Sequence, residues 1–419
     1  MLAFRILRHS LSGGDFFKTG SIMRKLFRLA LVSIGAATAV YAFAGRTRAP
    51  DPAVQRREIE ATLARIKLPP GFSISLYALA PNARTLAIGR EGKAIFVGTD
   101  EKRAYVITPG KDSAKSVDIL SPSESLVMPH GVCLSDDGAL FLVERNRVTR
   151  IDDAENRWRE AGSIAKIIVK AGDLIPRSEE SRGHAARVCK VGPDGKVYIA
   201  LGQPHNVAPR DRLALYDRTG MGGIVRMNAD GSGREVFATG LRNSVGLAFD
   251  RQGRLWFTDN QVDGMGDDIP PGEINRADGP GFSFGFPWYG GGHVRTHEYA
   301  KDAPPEGLVF PQVEEAAHAA DLGLTFYRGD MFPSEYCGGI FSAQHGSWDR
   351  SAPIGARLMF TKLGPNGDGG VTTPFAEGWN TGQGAYLGRP VDVAELADGS
   401  LLVTDDQNGA IYRISYRAK

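Results

Sequence analysis

GLAFDRQGRLWFTD, residues 246–259, decides the fold. It reads as a short apolar strand, a turn around Gly253, and a second apolar strand ending on Thr258 and Asp259. Glycine supplies the positive φ that tight antiparallel turns require, so the stretch is a two-stranded hairpin. The same phrase recurs as LAIGREGKAIFVGTD at 86–100, GVCLSDDGALFLVE at 131–144, RVCKVGPDGKVYIALG at 187–202 and DVAELADGSLLVTDD at 392–406. A looser version with a longer turn, LTFYRGDMFPSEYCGGIFSAQHG, occupies 324–346. These six hairpins recur at roughly 45 to 85 residues, the spacing of propeller blades and solenoids.

No helix-turn-helix signature repeats and the period is loose, which disfavours a solenoid. Six four-stranded antiparallel blades in a ring leave few free edges and enclose a channel. The predicted fold is therefore all-β, a six-bladed β-propeller, with a β-sandwich of hairpins as the alternative. The strand after Pro69, Pro70 and Gly71 is expected to close the ring against residues 411–416.

The bulk numbers agree. The 52 glycines and 24 prolines are spread along the chain as turn punctuation, not gathered in one disordered tract. Fifty basic residues balance 48 acidic ones, for a net charge of +2, so no nucleic-acid footprint is read. Three cysteines, Cys133, Cys189 and Cys337, form neither CxxC nor CxxCH, which excludes zinc clusters and covalent c-type haem. Cys133 and Cys189 lie in apolar runs and are expected to be buried small hydrophobes. The odd count leaves at least one free thiol.

Residues 1–50 differ in kind. Arg24, Lys25 and Arg28 precede an uncharged apolar run over 29–44, which ends in Ala42, Phe43 and Ala44 before turning polar. This is the pattern of a secretory signal, with Met23 a plausible start. The run is shorter than the ~20 residues of a spanning helix, though an uncleaved anchor stays open. Residues 1–50 are thus assigned as an upstream extension with signal peptide or membrane anchor. Residues 51–67 form a short helical lead-in, and 68–419 the propeller. The expected location is exported and periplasmic, with membrane contact only through that anchor.

Loops joining blades converge on one mouth of a propeller channel. The positions just before the six phrases supply His130, His184, the pair Arg242 and Asn243, His318 and Arg389, although the chain has only eight histidines. Titratable groups converging on one concavity describe an active site. Beside them QVDGMGDDIPPGE, residues 261–273, packs four acids and three glycines into one loop. Carboxylates and exposed carbonyls suit calcium, although the spacing is not that of an EF-hand; a solvated acidic loop is the alternative. GFSFGFPWYGG at 281–291 reads either as core packing or as a planar ligand's wall. HGSWDRSAPIGAR at 345–357 adds His345 and Arg350, the latter as an anion partner or a surface ion pair.

From LPPGF at 68–72 to IYRIS at 411–415, the chain resembles the glucose and sorbosone dehydrogenase family of soluble quinoproteins. The resemblance is carried by GHAARVCKVGPDGKVYIALG, GLRNSVGLAFD, LWFTDNQVDGMGDDIPPGEIN and HGSWDR. DNQVDGMGDDIPPGE looks closest to the sorbosone dehydrogenase branch. The resemblance implies pyrroloquinoline quinone (PQQ) and calcium (Ca2+) as cofactors. It casts His184 as the base that takes the substrate hydroxyl proton while hydride passes to the quinone. Arg242 is then the residue over the quinone carbonyls, and Asn243, Arg389, His318, Arg350 and His345 contact the cofactor. His130 is the substrate-side candidate, with a structural role as the alternative. The carbonyls of Gly264 and Met265 are implied as calcium ligands, supported by Asp263 and Asp268.

Two departures stand out: Asp321 replaces an expected proline, and glycine precedes His184 where the glucose branch has an acid. The implied substrate is an aldose or a sorbosone-like aldehyde. With no haem motif in the chain, electrons leave to a separate acceptor, a cytochrome or a quinone. A calcium-dependent lactonase and a non-catalytic binding propeller are the alternatives.

Overall fold

The computed structural model describes residues 51–418; the signal or anchor and the cleavage site expected at 1–50 lie outside them. Chain contacts divide the molecule at Val54, and Gln55–Lys419 is one unit. A helix, Pro52–Leu63, precedes the strands. No described helix is long and apolar enough to cross a membrane.

Each repeated phrase supplies the two inner strands of a blade. Blade 4 shows how. Gly246–Phe249 pairs antiparallel with Leu255–Asp259, which pairs with Gly272–Ala277, which pairs with Val313–Glu315. At the turn, Gly253 has φ +78°. The carboxylate of Asp250 accepts the backbone N–H groups of Gln252 and Arg254, both at 2.9 Å, so the turn is held by its own side chain.

The other innermost strands are Ala83–Ile88, Gly131–Leu134, Arg187–Val191, Asp321–Phe326 and Pro390–Glu395 for blades 1, 2, 3, 5 and 6. Each touches the next and the sixth touches the first, so the ring is closed. Closure is made by Phe72–Leu79, which joins blade 6 as its outermost strand, in register from Phe72 opposite Tyr416 to Leu79 opposite Ala410. The fold is a six-bladed β-propeller with four-stranded antiparallel blades; blade 3 gains a short parallel fifth strand, Phe282–Ser283.

Six buried apolar clusters fill the six gaps between neighbouring blades. A blade packed on both faces has no solvent side, so its inner strands can be buried throughout. Leu255–Asp259 is buried at every position. Of the aromatic segment 281–291, Phe284 and Phe286 enter these clusters, the packing outcome of the two readings.

The cysteine expectation is corrected. Cys133 and Cys189 form a disulfide, with Cα atoms 5.7 Å apart, and Cys337 is the exposed free thiol. Cys133 and Cys189 are each the third residue of their phrases, and the innermost strands of blades 2 and 3 lie side by side, which brings equivalent positions together.

Polar residues ending the second strands perform a shared task. Asp259, 1% exposed, accepts the backbone N–H of Arg242 (2.9 Å), that of Asn243 (2.7 Å) and the hydroxyl of Ser244 (3.2 Å). Asp405 accepts the N–H of Arg389 (3.0 Å), and Glu144 that of Val127 (2.5 Å). In blades 2, 4 and 6, then, a buried carboxylate grips the loop entering the same blade.

Two outcomes follow. Removing residues 412–419 takes away most of the strand that Phe72–Leu79 pairs with. The truncated chain should lose its cooperative thermal transition by circular dichroism, and a native-like transition would contradict the closure. Asp259→Ala strands two buried N–H groups and a hydroxyl, at about 1–3 kcal/mol each. Urea unfolding should show a loss of at least about 3 kcal/mol, and a loss under about 1 kcal/mol would refute the anchor.

Candidate active site

At the channel end where the innermost strands begin lies a cavity of about 200 Å³, lined by His184, Arg242, Asn243, Asp263, His318 and Trp348, among others. Five of these six were singled out from the sequence. A larger cavity of about 580 Å³ runs along the innermost strands to their turns at the opposite end. It contains neither His184 nor Arg242, so size alone points away from the chemistry.

His184 sits at φ +50°, a left-handed conformation uncommon for a side-chain-bearing residue. Its Nδ1 lies 2.6 Å from the carbonyl oxygen of Gln203. A carbonyl can only accept, so Nδ1 carries the proton and Nε2 keeps its lone pair. Nε2 has no hydrogen-bond partner among the described residues. Burial, helped by the charge of Arg242, pushes the imidazole down to about 4. His184 is therefore neutral at neutral pH and less basic than the unperturbed imidazole the sequence suggested. Gly202 lets the site close up: a Cβ there would lie 2.6 Å from the His184 carbonyl oxygen and 2.7 Å from Asn243 Oδ1.

Arg242 is 3% exposed, and four of its five N–H groups are engaged. It pairs with Asp263 at 2.5 Å. It also donates to the carbonyl oxygen of Asn206 (3.0 Å), to Asn206 Oδ1 (2.7 Å) and to the carbonyl oxygen of Asn260 (3.3 Å). Asn206 in turn accepts the Asp263 N–H at 2.9 Å and donates to the Asp263 carbonyl at 2.9 Å. The cation is thus fixed in position rather than free to swing. The Asn243 side chain contrasts with it: its Oδ1 is buried without a partner.

The remaining sequence candidates are placed differently. His130 is fully buried. Its Nε2 accepts from Arg84 Nε (3.0 Å), so Nδ1–H donates to the carbonyl of Arg187 (3.2 Å). With both nitrogens committed it is a structural residue and reaches no substrate. Arg389, expected to face one cavity with His184 and Arg242, does not line it. Its guanidinium donates to the carbonyls of His345 (3.0 Å) and Gly346 (2.7 Å). His345, kept neutral by burial, donates from Nε2 to Asp406 at 2.9 Å.

These residues form one chain around the mouth. Arg187 bonds the His184 carbonyl (2.8 Å), His130 bonds Arg187, and Arg84 joins His130 to Asp406. Asp406 holds His345, which Arg389 holds from the other side. Arg350 is also a clamp: it pairs with Asp268 (3.0 Å) and donates to the carbonyl of Asp267.

Asp263, His318 and Asp349 present ligand atoms all within 4.8 Å of one another. Asp268 is drawn outward to Arg350 and takes no part. Gly264, expected to offer its carbonyl, donates its N–H to Asp349 at 2.5 Å. Met265 packs its side chain against the cluster between blades 2 and 3. His318 Nε2 lies 2.8 Å and 3.1 Å from the carbonyl oxygens of Gly266 and Ile269. Asp349, Asn206 and Trp348 escaped the sequence reading. Asp349 and Trp348 lie within the quoted HGSWDR, but no repeated position marks them, and Asn206 lies after a phrase, not before one.

A sequence model described as glucose/sorbosone dehydrogenase matches residues 143–347, a span that includes His184, Arg242, Asn243, Asp263 and His318. An uncharacterized protein of Borreliella burgdorferi is 30% identical over 377 residues, covering 87% of this chain and 93% of its own. The pyrroloquinoline quinone-dependent pyranose dehydrogenase of Coprinopsis cinerea is 24% identical over 277 residues, 54% of this chain and 37% of that protein. Among solved structures, the holo PQQ domain of that pyranose dehydrogenase superposes with a TM-score of 0.68 at 17% identity, covering 84% and 97% of the two chains. The apo aldose sugar dehydrogenase of Escherichia coli gives 0.56 at 18% identity, covering 83% and 100%. At such identities the superpositions speak for the fold, and the sequence match speaks for kinship: the chain belongs to the glucose/sorbosone dehydrogenase family.

Proposed function

We propose that this protein is a PQQ-dependent oxidoreductase that oxidises an aldose sugar or a sorbosone-like aldehyde. The observation that carries the reading is a neutral histidine, His184, whose free Nε2 shares one cavity with a fixed cation, Arg242, and an uncommitted amide, Asn243. The family and the named activity of the Coprinopsis relative support it. The resemblance of 259–273 to the sorbosone branch keeps a sorbosone-like aldehyde beside the aldoses as a substrate class.

The donor set fits the cofactor. An oxygen-rich, planar anion would meet a guanidinium fixed in place and the side-chain amide of Asn243, whose N–H groups donate. Asp263 and Asp349 offer hard oxygen donors for calcium, with the carbonyls of Gly264 and Met265 retained as further proposed ligands. When bound, the quinone supplies a two-electron acceptor for hydride.

The chain's own residues then have defined tasks. His184 Nε2 removes the proton from the substrate hydroxyl, the anomeric one of an aldose or one of the two on a hydrated aldehyde, on a ring whose tautomer the Gln203 carbonyl fixes. Arg242 places positive charge where negative charge develops, with Asp263 and Asn206 removing its freedom to reorganise. Asn243 hydrogen-bonds the cofactor. Electrons leave to a separate carrier. The disulfide supports an exported, periplasmic setting, since such bonds persist in oxidising compartments.

Reconstituting the purified chain with PQQ and calcium should give sugar-dependent dye reduction across a panel of aldoses and aldehydes. Neither quinone binding nor reduction with any of them would refute the proposal. His184→Gln should lower kcat by about 10²–10⁴-fold while leaving quinone binding intact.

The pH dependence has a definite sign. A base held down at about 4 stays neutral above that value. His184 should therefore leave kcat/KM flat between about pH 5.5 and 8, with loss only as the pH falls toward 4. A break near the ordinary imidazole value, about 6.5, that vanishes in His184→Gln would contradict this environment.

A further inference from the structure

Five tryptophans occur in the chain, all among the described residues. Four have a ring or a cation against them: Trp158 has Arg159, Trp256 has Phe326 and Arg276, Trp288 has Tyr299, and Trp379 has Tyr412. No ring or cation stacks on Trp348. It is 74% exposed, the highest value among the large hydrophobic side chains described, and it lines the cavity shared by His184 and Arg242.

Its backbone, by contrast, is held on both sides. Ser347, 7% exposed, donates its N–H to the Ile354 carbonyl (3.0 Å), and its Oγ accepts the Ile354 N–H (3.0 Å). Tyr386 donates to the Ser347 carbonyl (3.0 Å), and Arg389 holds the carbonyl of Gly346. On the other side, Asp349 accepts the Gly264 N–H, Arg350 pairs with Asp268, and the Ser351 N–H meets Asp267 at 3.0 Å. A loop this well fastened, carrying an indole left in water, is a surface kept for something that arrives later.

We infer that Trp348 is the specificity-determining platform on which the substrate's sugar ring stacks, selecting cyclic aldoses over open-chain aldehydes. The inference rests on the dehydrogenase reading above and sharpens it. The faces of an indole are electron-rich and its contacts are mostly dispersive. A pyranose offers a rigid patch of C–H groups on one face, positively polarised and apolar, which matches an indole in size and charge. An open-chain aldehyde has no rigid face and loses more conformational freedom on lying down. The hydroxyls of a stacked ring remain free to approach His184 Nε2, because both residues wall the same cavity.

The test uses the full chain loaded with PQQ and calcium, as wild type, Trp348→Ala and Trp348→Phe. For the best aldopyranose of the panel, Trp348→Ala should lower kcat/KM at least tenfold, mainly through KM, and Trp348→Phe should recover most of it. Turnover of glyceraldehyde and the Kd for PQQ should change less than twofold. Separately, methyl β-D-glucopyranoside should quench tryptophan emission in wild type and not in Trp348→Phe.

Equal losses for pyranose and glyceraldehyde would overturn the inference. So would a defect confined to the PQQ titration, which would make the indole a cover for the cofactor. If wild type oxidises no sugar yet the glycoside still quenches Trp348, the dehydrogenase reading fails and the platform stands. If sugars are oxidised and both Trp348 measurements are unmoved, the platform alone fails.

Discussion

The site depends on a buried carboxylate bonding to backbone. Asp259 ends a strand sealed between two blades and holds the N–H groups of Arg242 and Asn243. A side chain on a surface loop is no more precise than its backbone, and here that backbone is bonded to the most rigid part of the blade. The same arrangement recurs at Asp405, which fixes Arg389 and through it the loop bearing Trp348. Blade packing thereby reaches the channel mouth without any side chain of the core entering it.

Burial has opposite consequences for the two residues nearest the chemistry. Arg242 stays charged because it is met by a carboxylate and three oxygen acceptors, and such a cation would be costly to leave unpaired. His184 is given a single carbonyl and a nearby positive charge, so it sheds its proton instead. A neutral acceptor of protons beside a permanent cation arises without any unusual residue type. The other histidines at the mouth are consumed by structure. His130 and His345 are links in the chain joining blades 1, 2, 3, 5 and 6, which explains why histidines gather there beyond the number chemistry needs.

The architecture was legible because it is written locally and six times over. Asp-Gly turns and short apolar strands repeat, and the last strand's partner is identifiable from the same pattern. Residues preceding each phrase were correctly gathered at one end, including His184, Arg242, Asn243 and His318. What those side chains do once gathered was not legible. Arg389 and Arg350 hold backbone carbonyls, and nothing in their spacing distinguishes a clamp from a ligand. The partnership of Cys133 with Cys189 was present in the text as equal positions in consecutive phrases, but apolar surroundings alone gave the opposite reading. Asp349 and Trp348 belong to a long loop without a repeat to mark them, and their importance comes from which strand ends happen to face them.

The central claim is that His184 and Arg242 form the wall of a quinone site at the strand-start end of the channel. A crystal structure of the protein soaked with PQQ and calcium tests it most directly. Density for the planar group is expected in contact with Arg242 and Asn243, within reach of His184 Nε2. Density in the larger cavity at the turn end, or a protein that takes up no quinone, would contradict it.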